Sequence, residues 1–289
     1  MKRKIIVTAD DYGMCPSVNS AIEECLTAGT LRATCVMTNM PFCEDAGFLR
    51  RRFQKSSIGI HWNLTQGKPI LSTSKIPSLV GHDGLFHPFA MFRQRWLLGK
   101  INPSQVEAEL RAQAIRFHEI VKEVDFWNTH ENFHVLPGLF QQCVSLAQQL
   151  HLPAMRCHSR FTVVPGNGVL FNFLHPFYWL KGQVISWWSK KAAAQGMNMP
   201  AGRISRLEYD AQKKYLLIDG LKSLRWEKVE KALEIVIHPA TSIQKELFGS
   251  VTESRLAEYK FFREPDLFMF LGRNGFEPVG FEVLKNHHG

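Results

Sequence analysis

Two adjacent carboxylates, Asp10-Asp11, close a short apolar run near the start of the chain, and His61, His130 and His238 sit at or near the ends of later apolar runs. Carboxylates and imidazoles hold divalent cations and exchange protons near neutral pH. Brought to one point, they can activate water for hydrolysis. Each has a plainer reading as well. Asp10-Asp11 suits a cap for the helix that starts near Ser17, and a single His in Gly59-Ile60-His61-Trp62-Asn63-Leu64-Thr65 suits a hydrogen-bonded core position. His130-Glu131-Asn132-Phe133-His134 spells the zinc-helix motif. That motif needs a long amphipathic helix. Here strand-like Val124-Asp125-Phe126-Trp127 precedes it and Pro137-Gly138 follows within three residues, so a metalloprotease site is not expected.

The elements that must position these residues read as alternating strands and helices. Strand-length apolar runs are expected at Lys4 to Ala9, Ala33 to Thr38, Ile58 to Asn63, Val124 to Asn128, Ala154 to Cys157, Leu233 to Ile237 and Val279 to Leu284. Between them, helical spacing is expected from Ser17 to Ala28, stopping at Gly29, and from about Glu44 to Phe53. Asn102 reads as an N-cap with Pro103 at the first helical position, for a helix to about Lys122. Further helices are expected from Leu139 to Leu150 and near Glu253 to Arg273. Gly67, Pro69, Pro77, Gly81, Gly84 and Pro88 mark residues 64–103 as rich in loops. The order predicts an α/β fold of mainly parallel strands, a distorted (β/α) barrel like a TIM barrel, as one domain over 1–289. An aromatic-rich insertion occupies about 160–225. In such a barrel the strand C-termini open on one face, so Asp10-Asp11, His61, His130 and His238 should meet there.

Composition narrows the class. The chain has 289 residues, 45% hydrophobic and 21% charged, enough to bury a full core, which excludes disorder and coiled coil. The formal charge is +9, yet the densest basic cluster, Arg50-Arg51-Arg52 with Lys55, reads as a solvated face, so a nucleic-acid partner is not expected. Six scattered cysteines without a Cys-x-x-Cys pair, and no signal-peptide core after Met1-Lys2-Arg3-Lys4, predict reduced thiols in a cytoplasmic protein. No run reaches the roughly 18 apolar residues of a membrane span.

In Thr8-Ala9-Asp10-Asp11-Tyr12-Gly13, Gly59 to Thr65 with Gly67 and Pro69, Glu109 to Gln113, Asn128 to His134, Met155-Arg156 and His238-Pro239, taken in order, the chain resembles the YdjC-like carbohydrate deacetylases. That family includes chitooligosaccharide deacetylase and the deacetylase associated with hopanoid biosynthesis. The resemblance implies a metal-dependent removal of acetyl groups from an N-acetylated sugar by activated water. It makes Asp10 the general base, Asp11, His61 and His130 the ligands of one divalent ion, zinc or magnesium, and His238 the acid or a residue on the oxyanion side. Arg156, His134 and Trp62 would contact substrate. Two departures stand out: the family's usual Asp-Ser-His-x-His-x-His becomes Asn128-Thr129-His130-Glu131-Asn132-Phe133-His134, and His-Pro-Gly becomes His238-Pro239-Ala240. Both, with Ile76 to Val80 and Asp83 to Phe86, resemble the hopanoid-associated branch.

The aromatic stretch 171–188 keeps two readings open: peripheral contact with a lipid portion of the substrate or a membrane, or packing in the core or a homodimer interface. Two other functions remain as alternatives. A glycoside hydrolase would need two carboxylates flanking a glycosidic bond, which Asp10 and Asp11 are too close in sequence to do in the usual way. A non-catalytic carbohydrate- or lipid-binding protein would have no use for the full set of Asp10, Asp11, His61, His130 and His238.

Overall fold

The computed structural model describes residues 2–162, 176–205, 209, 212–248 and 252–284. The chain runs β1 (Arg3–Tyr12), α1 (Pro16–Ala28), β2 (Ala33–Val36), α2 (Leu49–Arg52), β3 (Ser57–Trp62), α3 (Phe89–Leu97), α4 (Pro103–Val121), β4 (Trp127–Thr129) and α5 (Leu139–Gln149). It continues through β5 (Arg160–Thr162), α6 (Pro176–Ala194), β6 (Gly202–Ser205), α7 (Lys214–Lys222), β7 (Leu233–Ile237), α8 (Lys245–Phe248), α9 (Thr252–Phe262), α10 (Leu267–Arg273) and β8 (Phe276–Pro278). Among the described residues all strand pairings are parallel, in the order β4-β3-β2-β1-β7-β6-β5, with β8 beside the start of β1. Parallel bridges Trp127↔Met155 and Ala154↔Asn198 carry the sheet round from the β4 edge towards the segment before β6. The result is the expected α/β single domain, a distorted barrel.

The strand period of two sorts residues between two sides. Ile5, Val7 and Ala9 of β1 enter the large core under the helices, while Ile6 joins a small cluster inside the curl with Ala33, Cys35, Phe126 and Phe281. Phe126 and Phe281 stack with centroids 3.9 Å apart and form the floor of that interior. Gly59 makes room for them, since a Cβ there would lie 2.7 Å from the Phe126 ring. On the same face as Ile6, the next positions up are Thr8 and Asp10.

Several expected elements shift. The Glu44 to Phe53 helix is a 3₁₀ turn, Cys43–Phe48, followed by the single turn of α2. The expected helix near Glu253 to Arg273 is two helices, α9 and α10, separated around Pro265, whose ring and missing N–H end the first. The last strand lies earlier than expected, at β8, because the chain turns at Gly275 (φ 87°), and Phe281–Leu284 is a 3₁₀ turn. β4 also starts later, at Trp127, and the expected Ala154 to Cys157 strand contributes only bridges. A nine-residue helix, α3, sits inside the loop-rich stretch. Asn102 caps α4 as expected, its Oδ1 accepting from Ser104 N at 2.9 Å.

Within residues 160–225, β5 and β6 join the main sheet. Phe171 and Phe173 lie outside the described residues. On α6, Trp188 stacks on Phe140 of the core at 4.9 Å while Trp187 is 55% exposed, so the segment has one residue for each reading of it. Among the described residues no helix is long and apolar enough to cross a membrane.

Candidate active site

Five of the expected residues meet at the C-terminal mouth of the strands. Asp10 arrives by strand alternation. Asp11, its neighbour, should point the other way, but β1 slips register against β2 between Ala9 and Tyr12, and Asp11 takes φ 74°. This bulge turns the second carboxylate to the same mouth. Tyr12 then returns to the core, and Gly13 (φ 97°) passes 3.0 Å, measured from a Cβ position, from the backbone of Cys43.

Asp11 is the hub of one group. Its Oδ1 lies 3.2 Å from His61 Nε2 and 3.1 Å from His130 Nδ1, and its Oδ2 accepts from Arg255 Nη2 at 2.6 Å. Burial alone would raise this carboxyl, but Arg255 and the two imidazoles hold it well below the usual range. The His130 imidazole is lowered by burial and raised by Asp11, and the carboxylate prevails.

Asp10 is the hub of the other. Arg156 clamps both its oxygens, Nη1 to Oδ2 and Nη2 to Oδ1, each at 2.7 Å. Asn128 Nδ2 and Cys35 Sγ also donate to Oδ1, both at 3.2 Å. Against the cost of burial, the guanidinium keeps Asp10 ionised far below its ordinary range. Arg156 Nε reaches Glu234 Oε1 at 3.1 Å, so one buried cation serves two buried carboxylates. His238 Nε2 stands 3.7 Å from Asp10 Oδ2, with burial pushing the imidazole down to about 4 despite the pull of Asp11 and Asp10. Its backbone N–H is held by Glu258 Oε2 at 2.6 Å, a carboxyl that burial raises to about 7.

The two hubs share one cleft, walled by Thr65, Gln66, Phe89, Asn132, Arg203 and Phe248. Of the expected substrate contacts, Arg156 lines the cleft, but as the clamp on Asp10. Trp62 does not reach it: the indole is fully buried and donates to Leu110 O at 3.0 Å. His134 is also fully buried, 2.5 Å from Thr129 Oγ1 through Nδ1 and packed on His158, with burial pushing it down to about 3. Glu131 and Asn132 take φ 52° and 53°, so the zinc-helix letters do not form a helix.

A cation fits the first hub. Asp11, His61 and His130 each offer a ligand atom, all within 4.8 Å of one another. Ligands of one zinc-sized ion, each held at about 2.0–2.2 Å, lie about 3 Å apart, as Asp11 Oδ1 does from each imidazole nitrogen. A second grouping, Asp10, Cys35 and His61, fits less well. Its thiol is pushed well above its usual range by burial and by Asp10, whereas a sulfur ligand must ionise.

Arg255 belongs to the site but carries no chemical signal in the sequence, while Asn128, which departs from the family pattern, joins it through Asp10. Arg255 is 2% exposed and lies over the Phe248 ring at 4.4 Å, yet its place on a helix reads as a solvated arginine.

Comparison with known proteins agrees with the fold and its motifs. A carbohydrate deacetylase of Danio rerio is 36% identical over 139 residues, 48% of this chain but 44% of that protein, so the chain spans under half the length of that relative. One from Thermoanaerobacter pseudethanolicus is 24% identical over 97% of this chain and 99% of its own length. A solved structure of a proposed cellobiose-phosphate cleavage protein from Enterococcus faecalis V583 shares the fold, with TM-score 0.73 at 22% identity over 98% of this chain and 99% of that one. The YdjC-like family pattern matches residues 4–273, and the chain belongs to that family.

Proposed function

We propose that this protein is a carbohydrate deacetylase that hydrolyses the acetamide of an N-acetylated sugar with one divalent cation. The observation that carries the reading is the pairing of a cation-ready hub, Asp11 with His61 and His130, and a proton-handling hub, Asp10 with His238, across one cleft. Deacetylases among the relatives support it. A cation held by Asp11, His61 and His130, zinc or magnesium, would polarise the amide oxygen and acidify its water.

The chain's own residues then move the protons. Arg156 keeps Asp10 ionised, and Oδ1 is already occupied by three donors, which leaves Oδ2, facing His238, as the oxygen that accepts a proton. Asp10 takes that proton from water as the water oxygen bonds to the carbonyl carbon. His238, neutral at rest, receives it and delivers it to the amide nitrogen as the C–N bond breaks, giving acetic acid and the free amine.

The substrate is an N-acetylglucosaminyl group on an oligosaccharide or a hopanoid lipid. The Asn128 and Ala240 departures and the exposed Trp187 support the lipid-linked branch. Six buried free thiols support a reducing compartment such as the cytoplasm. The test is acetate release from N,N′-diacetylchitobiose and from a lipid-linked N-acetylglucosamine, before and after chelation and return of zinc or magnesium. Chelator-sensitive acetate with an intact sugar chain supports the proposal. Shortened chains with acetyl groups retained, or binding without turnover, would replace it with one of the alternatives.

A further inference from the structure

We infer that Asn128 positions both hubs at once: its carboxamide oxygen fixes His61 with the proton on Nδ1 and the Nε2 lone pair towards Asp11, while its amide N–H holds Asp10. β3 and β4 place His61 and Asn128 in register on one face, and both side chains are buried. Asn128 Oδ1 lies 2.5 Å from His61 Nδ1, and Nδ2 lies 3.2 Å from Asp10 Oδ1.

With His61 as a ligand of the cation, chemistry allows one assignment of these atoms. Ionised Asp10 only accepts hydrogen bonds, so the amide must turn its NH₂ towards it. Its oxygen therefore faces His61 Nδ1, which must carry a proton. An imidazole that ligates a cation through Nε2 keeps only that one N–H, so its Nε2 lone pair is the one turned towards Asp11, with which it would share the cation. Swapping the amide's ends would set oxygen against carboxylate and leave the N–H groups facing an imidazole already in ligand position. Asn128, one of the residues that depart from the family pattern, is thus the one that joins the base to a metal ligand.

The inference rests on the metal reading of this site but not on the sugar. It is tested on the zinc-loaded protein and on Asn128→Leu and Asn128→Asp. Asn128→Leu removes both bonds and should weaken zinc binding about 10–100-fold by calorimetry. Asn128→Asp keeps the acceptor for His61 and should stay within about threefold. At saturating zinc, Asn128→Leu lacks the donor to Asp10 and should lose about tenfold in kcat with KM unchanged. Long-range ¹H–¹⁵N spectra of the zinc-loaded wild type should show His61 coordinated through Nε2 with its proton on Nδ1. Coordination through Nδ1, or wild-type zinc affinity in a folded Asn128→Leu protein, overturns the assignment. The wild-type spectrum decides even if the Leu variant fails to fold. A wild type that shows this tautomer but releases no acetate ends the deacetylase reading and leaves the assignment standing, and one that takes up no zinc ends both.

Discussion

The two faces of the sheet come from the same strands and hold together by opposite means. The outer face packs Ile5, Val7 and Ala9 under helices such as α1, where volume and apolar area do the stabilising. The inner face rises from the Phe126 and Phe281 floor through Thr8 and Cys35 to a layer of buried charge, in which Asp10, Asp11, Arg156, Glu234 and Arg255 are each at most 3% exposed. Ions this deep stabilise little, because desolvation offsets most of their attraction. The contrast says that the outer face sets whether the protein folds, and the mouth of the inner face sets whether it reacts.

The sharpest test of that division is Asp10→Asn, which keeps the shape and removes the proton acceptor. It should cut kcat about 10²–10⁴-fold in an acetate-release assay. Near-normal turnover would show that the inner mouth is structural. On the outer side, Phe117→Ala in α4 should cost about 3–5 kcal/mol in denaturant unfolding while kcat per folded molecule stays unchanged. A lost rate with stability intact would reverse the two roles.

A smaller effect probes the boundary between them. Glu258 is raised by burial from 4.5 to about 7. A carboxyl raised on folding favours the folded state fully below its unfolded pKa, and that contribution disappears as pH climbs through its folded pKa. Glu258→Gln keeps an acceptor for the His238 N–H without the ionisation. Relative to wild type, it should gain stability between about pH 4.5 and 8, approaching 3 kcal/mol. Unfolding curves at both ends of that window measure it, and a difference that does not vary with pH counts against a buried, ionising Glu258. Smallest of all, Asn102→Ala removes the α4 cap and should cost about 1 kcal/mol with no change in kcat.

How far the sequence could be read follows the same division. Outer-face periodicity and caps located α1, α4, α5 and β7 to within a residue or two, because apolar spacing and Pro, Asn or Gly at the ends are local signals. Strand-end position also brought out Asp10, Asp11, His61, His130 and His238, the residues that the structure gathers. Residues whose role depends on a distant partner were harder to read. Arg255 meets Asp11 across 244 positions, and nothing local separates it from a surface arginine. Trp62 and His134 lie in motifs that invite a substrate role, yet both side chains are buried away from the cleft, since one position along a strand or turn decides which side a residue faces. The expected long helix near Glu253 breaks at Pro265, which is itself a local signal.

The slip in β1 has a consequence for anyone who would move this chemistry elsewhere. An Asp-Asp dipeptide grafted onto a regular strand would send one acid to the opening and bury the other among hydrocarbon, however faithfully the surrounding imidazoles were copied. What must be transplanted is the path of the main chain, including the positive φ of Asp11 and the tight passage at Gly13, before any ligand is counted.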